Sequence, residues 1–206
     1  MLLFCFDIEG VLFPELWPEI SKITGIKDFL MVKGSSGDVN MTLRQLNQKR
    51  IEVMKNNHIT SKDIKNYVSK IEPYDGAKDF IQKLRDLAEV ILITDSAYQL
   101  SSIAVRKINS PSLISNAFIE DKDGNFIDFD QRIDTKANQV KAFQNLGYNT
   151  IACGDSEFDV SMIKASKAGY LFRSTEDIIK RHTDIKSYNE YNDLYEDIVK
   201  VIKNNV

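Results

Sequence analysis

Apolar residues fall along this chain in two alternating patterns. Short apolar runs cover residues 2–8, broken only at Asp7, and 90–94, 150–154 and 169–172, and each ends at a polar or small residue. Between and around them, residues 77–87, 97–108, 135–146 and 159–168 carry apolar positions at helical spacing. Unbroken runs are the mark of strands buried on both faces, and their alternation with amphipathic helices predicts βαβ units. The fold class is therefore α/β, a three-layer, Rossmann-like core with a parallel sheet. Lys122-Asp123-Gly124-Asn125 lies between Phe118-Ile119 and Phe126-Ile127, which predicts a hairpin turned at Asp-Gly. A last helix is expected over residues 190–203, with Leu194, Ile198, Val201 and Ile202 on one face.

Residues 14–73 break the alternation. Their spacing is helical (Leu43, Leu46, Val53 and Met54, then Ile64, Tyr67, Val68 and Ile71), with a Gly/Ser-rich loop at 33–38. Sixty helical residues between the first and second strands read as an inserted cap. The expected division is a core of residues 1–13 and 74–206 and a helical cap of residues 14–73.

Composition narrows the class. In 206 residues, 43% are hydrophobic and 28% charged, enough to build a globular core. The net charge of −3 argues against a nucleic-acid binder, which would show a basic face. Two cysteines make no disulfide framework and point to a reducing, cytoplasmic setting. Asp7 and Glu9 interrupt the first apolar run, and no run approaches the length of a membrane span. A monomer or a homodimer is expected.

Candidate chemistry gathers where the strands end, the edge at which open parallel sheets bind ligands. The first run delivers Asp7, Glu9 and Gly10, the second Thr94, and the third Asp155 with Asp159 a helical turn later. Lys136 opens the helix before the third. A carboxylate here can attack phosphorus, splitting one displacement into two easier ones. The dianion it approaches needs a hard cation, and Mg²⁺ held by Asp7, Asp155 and the backbone carbonyl of Glu9 is the expected cofactor. Thr94 and Lys136 would hold phosphoryl oxygens, and Glu9 would serve as general acid and base. Asp159 would position the metal's waters or Lys136.

In order and strand context, Asp7-Ile8-Glu9-Gly10, Thr94, Lys136 and Gly154-Asp155-Ser156-Glu157-Phe158-Asp159 resemble the four motifs of the haloacid dehalogenase superfamily of phosphatases. Within it the chain looks most like the phosphoserine phosphatases, above all the form that also transfers phosphate to homoserine. Asp7 through Glu15-Leu16-Trp17 and the Thr94-Asp95 pair carry that closer likeness. The resemblance implies an aspartyl-phosphate on Asp7, phosphoserine as donor, and water or homoserine as acceptor. It also implies that Glu15 binds the substrate ammonium and Arg50 its carboxylate. Thr94, Asp95, Lys136 and Asp159 complete the expected substrate-binding set.

Three positions depart from the pattern. Glu9 stands where most relatives have Asp, and its extra methylene leaves room for an alcohol acceptor. Phe158 stands where Asn is common, and Thr94 replaces Ser. Plainer readings exist beside these. Arg50 shares its segment with Arg44, Lys49 and Lys55 on what could be a solvated face. Glu15 suits a helix start, and Asp95 a turn. Cys5 and Cys153 read as buried small hydrophobes, His58 and His182 as surface residues, and Trp17 as packing or a pocket wall. The rival functions are a phosphatase of another small monoester and a non-catalytic phospho-ligand-binding domain.

Overall fold

The computed structural model describes residues 1–31, 41–109, 111–132 and 135–204; the expected loop at 33–38 lies outside them. The strands are β1 (Leu2–Phe6), β2 (Glu89–Ala97), β3 (Ser112–Glu120), β4 (Phe126–Asp130), β5 (Asn149–Gly154), β6 (Ala168–Phe172) and β7 (Lys186–Tyr188). They form one sheet in the order β4-β3-β2-β1-β5-β6-β7. All pairings are parallel except β3 with β4, the predicted hairpin. Its turn closes on Gly124 at φ +81°, and Asp121 Oδ1 accepts from the N–H groups of Asp123 and Asn125.

β1 sits at the centre with parallel neighbours on both sides, which is why its five residues are all apolar. Phe4 and Phe6 face one layer, made by α4 (Ala77–Arg85), α5 (Tyr98–Ala104) and α9 (Tyr191–Lys203). Leu3 and Cys5 face the other, made by α6 (Lys136–Asn145) and α7 (Glu157–Ala165). Cys153 belongs to the first layer, so the two thiols lie on opposite faces of the sheet, both free. Between β6 and β7 runs α8 (Glu176–Arg181).

Residues 14–73 fold, where described, into α1 (Leu16–Thr24), a 3₁₀ turn (Lys27–Leu30), α2 (Leu43–Asn56) and α3 (Ser61–Val68). Their buried residues Leu16, Trp17, Ile20, Phe29, Ile51, Met54 and Ile64 join the apolar cluster that holds Phe4 and Phe6. The β3–β4 hairpin fastens this segment from above. Arg44 on α2 donates to the Phe129 carbonyl at 2.7 Å and pairs with Asp128 at 2.9 Å. The N–H of Ser61, opening α3, donates to the Gly124 carbonyl at 2.9 Å.

Several expected boundaries move. β1 ends at Phe6, leaving Asp7 just beyond it. β2 runs on to Ala97, so Thr94 lies inside the strand, at an irregularity where the pairing with β3 lapses after Ile93. β3 begins six residues before Phe118, and β7 was not foreseen. Among the described residues no helix is long and apolar enough to cross a membrane.

Candidate active site

Asp7 follows the central strand, and its N–H still donates across to the Cys153 carbonyl of β5 at 2.9 Å. That bond carries the strand geometry one residue further and points the carboxylate over the sheet's C-terminal edge. Oδ1 accepts from the Ile8 N–H at 2.7 Å, and Oδ2 pairs with Lys136 Nζ at 2.9 Å. The same ammonium donates to Asp159 Oδ1 at 2.7 Å. Lys136 is thus buried between two carboxylates at the first position of α6.

Asp159, grouped at the sequence level with the substrate-binding residues, stands behind Lys136 and off the cavity wall. It is fully buried. Its Oδ2 accepts from the Ser156 hydroxyl at 2.8 Å and the Ser156 and Asp155 N–H groups at 3.1 and 3.2 Å, forming the capping box of α7. Both its oxygens are thus engaged, one by Lys136 and the other by the start of α7. Gly154 is required here, because a Cβ would fall 2.2 Å from that of Asp159.

The other predicted residues line one cavity: Asp7, Glu9, Glu15, Arg50, Thr94, Asp95, Lys136 and Asp155. α1 and α2 form the opposing wall with Trp17, Leu43 and Leu46, and the half-exposed Phe158 closes the side. Glu9 is anchored by the Leu16 N–H, which donates to its Oε2 at 2.9 Å. The Arg50 guanidinium lies over the Trp17 ring, 4.6 Å from its centroid, and donates weakly to Asn47 Oδ1 and the Met31 carbonyl, each at 3.3 Å. Its Nε is buried without a hydrogen-bond partner among the described residues. A strong planar donor left so loosely engaged is suited to receive an anion.

Charge is arranged asymmetrically. Burial, and then the Asp159 charge, push the Asp7 carboxyl well above its ordinary value. The same two causes, in the same order, push Asp155 up to about 7. Burial and the neighbouring Glu9 raise Glu15 to about 8. Burial draws Arg50 down to about 10. Burial would also lower Lys136, but Asp159 and Asp7 outweigh it and hold the ammonium charged. Burial would raise Asp159; Lys136 and Ser156 outweigh that and keep it ionised.

Asp7, Asp155 and Asp159 offer oxygens within 4.8 Å of one another. With Asp159 committed to Lys136 and the capping box, Asp7 and Asp155 remain as donors. All are hard oxygens, the set a divalent cation such as Mg²⁺ selects, and their repulsion is what such a cation would offset. Gly10 makes room for this pair: at φ +77°, it would place a Cβ 2.2 Å from Asp155 Oδ2. Gly10→Ala is expected to displace Asp155 and cut metal-dependent turnover at least about tenfold, with the apparent metal affinity falling in parallel in a cation titration of activity.

Sequence reasoning missed Arg132 and Asn116. Arg132 donates to the Thr94 carbonyl at 3.0 Å and lies 3.8 Å from Asp95 Oδ1; Asn116 donates to the Asp95 carbonyl at 2.7 Å. Neither lies in a motif. The pairing of β2 with β3 brings Asn116 to the site, and β4, paired in turn with β3, leads into Arg132.

No family model matches the chain. A phosphoserine phosphatase from Pseudomonas syringae pv. tomato is 28% identical over 197 residues, covering 95% of this chain and 81% of that protein. Phosphoserine phosphatase ThrH from Pseudomonas aeruginosa is also 28% identical, covering 95% of this chain and 94% of that protein. A solved structure described as the phospho-aspartyl intermediate analogue of phosphoserine phosphatase superposes with a TM-score of 0.74 at 20% identity, covering 95% and 97% of the two chains. The fold is that of the haloacid dehalogenase phosphatases. The resemblance to the two curated phosphoserine phosphatases covers 95% of the chain.

Proposed function

We propose that this chain is a phosphoserine phosphatase that works through an aspartyl-phosphate on Asp7, with homoserine as a second acceptor beside water. What supports the reading is one cavity with two differently charged ends: Lys136, Thr94 and Asp155 around Asp7, and Glu15 with Arg50 on the helical wall. The first end suits a phosphomonoester. The second suits a zwitterionic amino acid, an ammonium for Glu15 and a carboxylate for the guanidinium fork of Arg50. Residues 14–73 then act as the cap of a core made by residues 1–13 and 74–206.

An Asp7 carboxylate oxygen forms a bond to phosphorus as the bond from phosphorus to the serine oxygen breaks. Glu9 gives its proton to the departing alkoxide, and serine leaves. Glu9 then takes a proton from the acceptor hydroxyl as its oxygen attacks phosphorus, which releases the Asp7 carboxylate and the phosphorylated product. Lys136 and the Thr94 hydroxyl hold the oxygens on which charge accumulates. Asp7, Asp155 and the Glu9 carbonyl would hold Mg²⁺, which when bound supplies charge neutralisation between nucleophile and phosphate.

An assay with L-phosphoserine, with and without homoserine, follows free phosphate and phosphohomoserine together. Phosphate release that depends on Mg²⁺ supports the phosphatase, and phosphohomoserine supports the second acceptor. Arg50→Ala is expected to raise KM for phosphoserine about 10–100-fold, the worth of a charge-assisted fork. Phosphoethanolamine, which lacks the carboxylate, should be turned over as by the parent protein. Equal effects on both substrates would remove the amino-acid assignment and favour another small monoester.

A further inference from the structure

The phosphate end of the cavity contains a piece of backbone that its own sheet does not hold. β2 pairs with β3 up to Ile93↔Ile114 and resumes at Ala97↔Asn116, so residues 94–96 arch out of the ladder. Their peptide planes are set by side chains instead. Arg132 Nη2 donates to the Thr94 carbonyl at 3.0 Å, and Asn116 Nδ2 donates to the Asp95 carbonyl at 2.7 Å. Asn116, itself only 3% exposed, takes the N–H of Arg132 on its Oδ1 at 2.9 Å and the Nε at 3.4 Å.

The C=O and N–H of a trans peptide point in opposite directions. Drawing two successive carbonyls toward Arg132 and Asn116 therefore turns the N–H groups of Asp95 and Ser96 the other way. The Ser96 N–H is found on Thr94 Oγ1 at 3.1 Å. That hydroxyl, already accepting, keeps its own O–H to donate into the cavity. The guanidinium also lies 3.8 Å from Asp95 Oδ1, on the wall a dianion must approach. It offsets the one carboxylate of the arch.

We propose that Arg132, acting through Asn116 and the Thr94–Ser96 arch, is a positioning residue for the phosphoryl group: it presents the Thr94 hydroxyl to phosphate and screens Asp95 from it. The proposal rests on the phosphatase reading above and adds a part that no motif supplies. Arg132 meets Thr94, Asp95 and Asn116, which places it behind the arch. Its effect belongs in phosphate affinity more than in the chemical step.

The test compares the parent protein with Arg132→Gln, Arg132→Lys and the double variant Arg132→Gln/Asp95→Asn. KM, kcat, the inhibition constant of inorganic orthophosphate and the thermal midpoint are read for each. Arg132→Gln should raise KM and the orthophosphate inhibition constant together, about tenfold, with a smaller fall in kcat. Arg132→Lys should recover part of both, since an ammonium keeps the charge but loses the fork. Adding Asp95→Asn to Arg132→Gln should also recover phosphate affinity, because the unscreened carboxylate is gone. An Arg132→Gln protein with unchanged orthophosphate inhibition and KM overturns the proposal, whether or not its thermal midpoint falls. A parent protein that turns over no phosphomonoester and binds no orthophosphate overturns the phosphatase reading, and this proposal with it. Activity in the parent with no change in the variant sinks the proposal alone.

Discussion

Asp7→Asn should abolish turnover, by about 10⁴-fold or more, and at the same time make the metal-free protein harder to unfold. The first half follows from the role of a covalent nucleophile, whose loss removes the pathway and not merely one contact. The second follows from where Asp7 sits. It is 7% exposed, with Asp159 and Asp155 beside it, and burial and those charges push its carboxyl well above the ordinary range against the pull of Lys136. A carboxyl raised on folding takes up protons more readily in the folded state, so its ionisation costs stability as pH rises past its unfolded value. Asparagine keeps one oxygen, enough for either the Ile8 N–H or the Lys136 ammonium, and carries no charge to bury. Urea unfolding at neutral pH with a chelator present should show a higher midpoint at unchanged slope. An inactive variant that is clearly less stable would make Asp7 a structural ion-pair partner, and a variant that keeps substantial activity would move the nucleophile elsewhere.

The sheet was legible where burial had erased alternation. β1, β5 and β6 are covered on both faces, so their apolar runs stand out against the helices around them. β3 was seen only at Phe118 and Ile119 because Ser112, Ser115 and Asn116 interrupt its first half. Ser112 is exposed, while the amide of Asn116 is spent on the arch of β2. A strand whose polar residues serve a neighbouring strand carries no periodic signal of its own. β7 is three residues long at the sheet's edge, too short for any pattern.

The site divides in the same way. Asp7, Glu9, Thr94 and Asp155 close or follow apolar runs and Lys136 opens a helix, positions at which a polar residue announces itself. Glu15 and Arg50 came through the resemblance, and the structure brings them to the same cavity from α1 and α2, opposite Asp7. Asp159 lay within a motif, but only the capping box of α7 shows that both its oxygens are taken. Arg132 lies in a connection without pattern, and its importance comes wholly from a tertiary contact with Thr94.

Lys136→Met should be the most destabilising single change in the site. The lysine is 5% exposed and lies 2.9 Å from Asp7 and 2.7 Å from Asp159, so its removal strands two buried carboxylates. Breaking a buried ion pair from one side costs about 3–5 kcal/mol. At about 2–4 °C per kcal/mol for a chain of this size, the thermal midpoint should fall by roughly 6–20 °C. Methionine fills much of the same volume, so the loss reads charge rather than a cavity. The deficit should also shrink in acid: without the ammonium, the Asp7 carboxyl rises further above its ordinary value and Asp159 loses the main partner that holds it below, so protonating them removes the repulsion. Activity should fall by about 10²–10³ at least, since a donor to the developing charge is gone. Adding Asp159→Asn separates the two effects, because it removes one stranded charge but restores no donor. Stability that returns in the double variant while activity does not would establish that Asp159 serves Lys136, and Lys136 serves the phosphate. Activity returning along with stability would mean that the lysine holds the fold and takes no part in the chemistry.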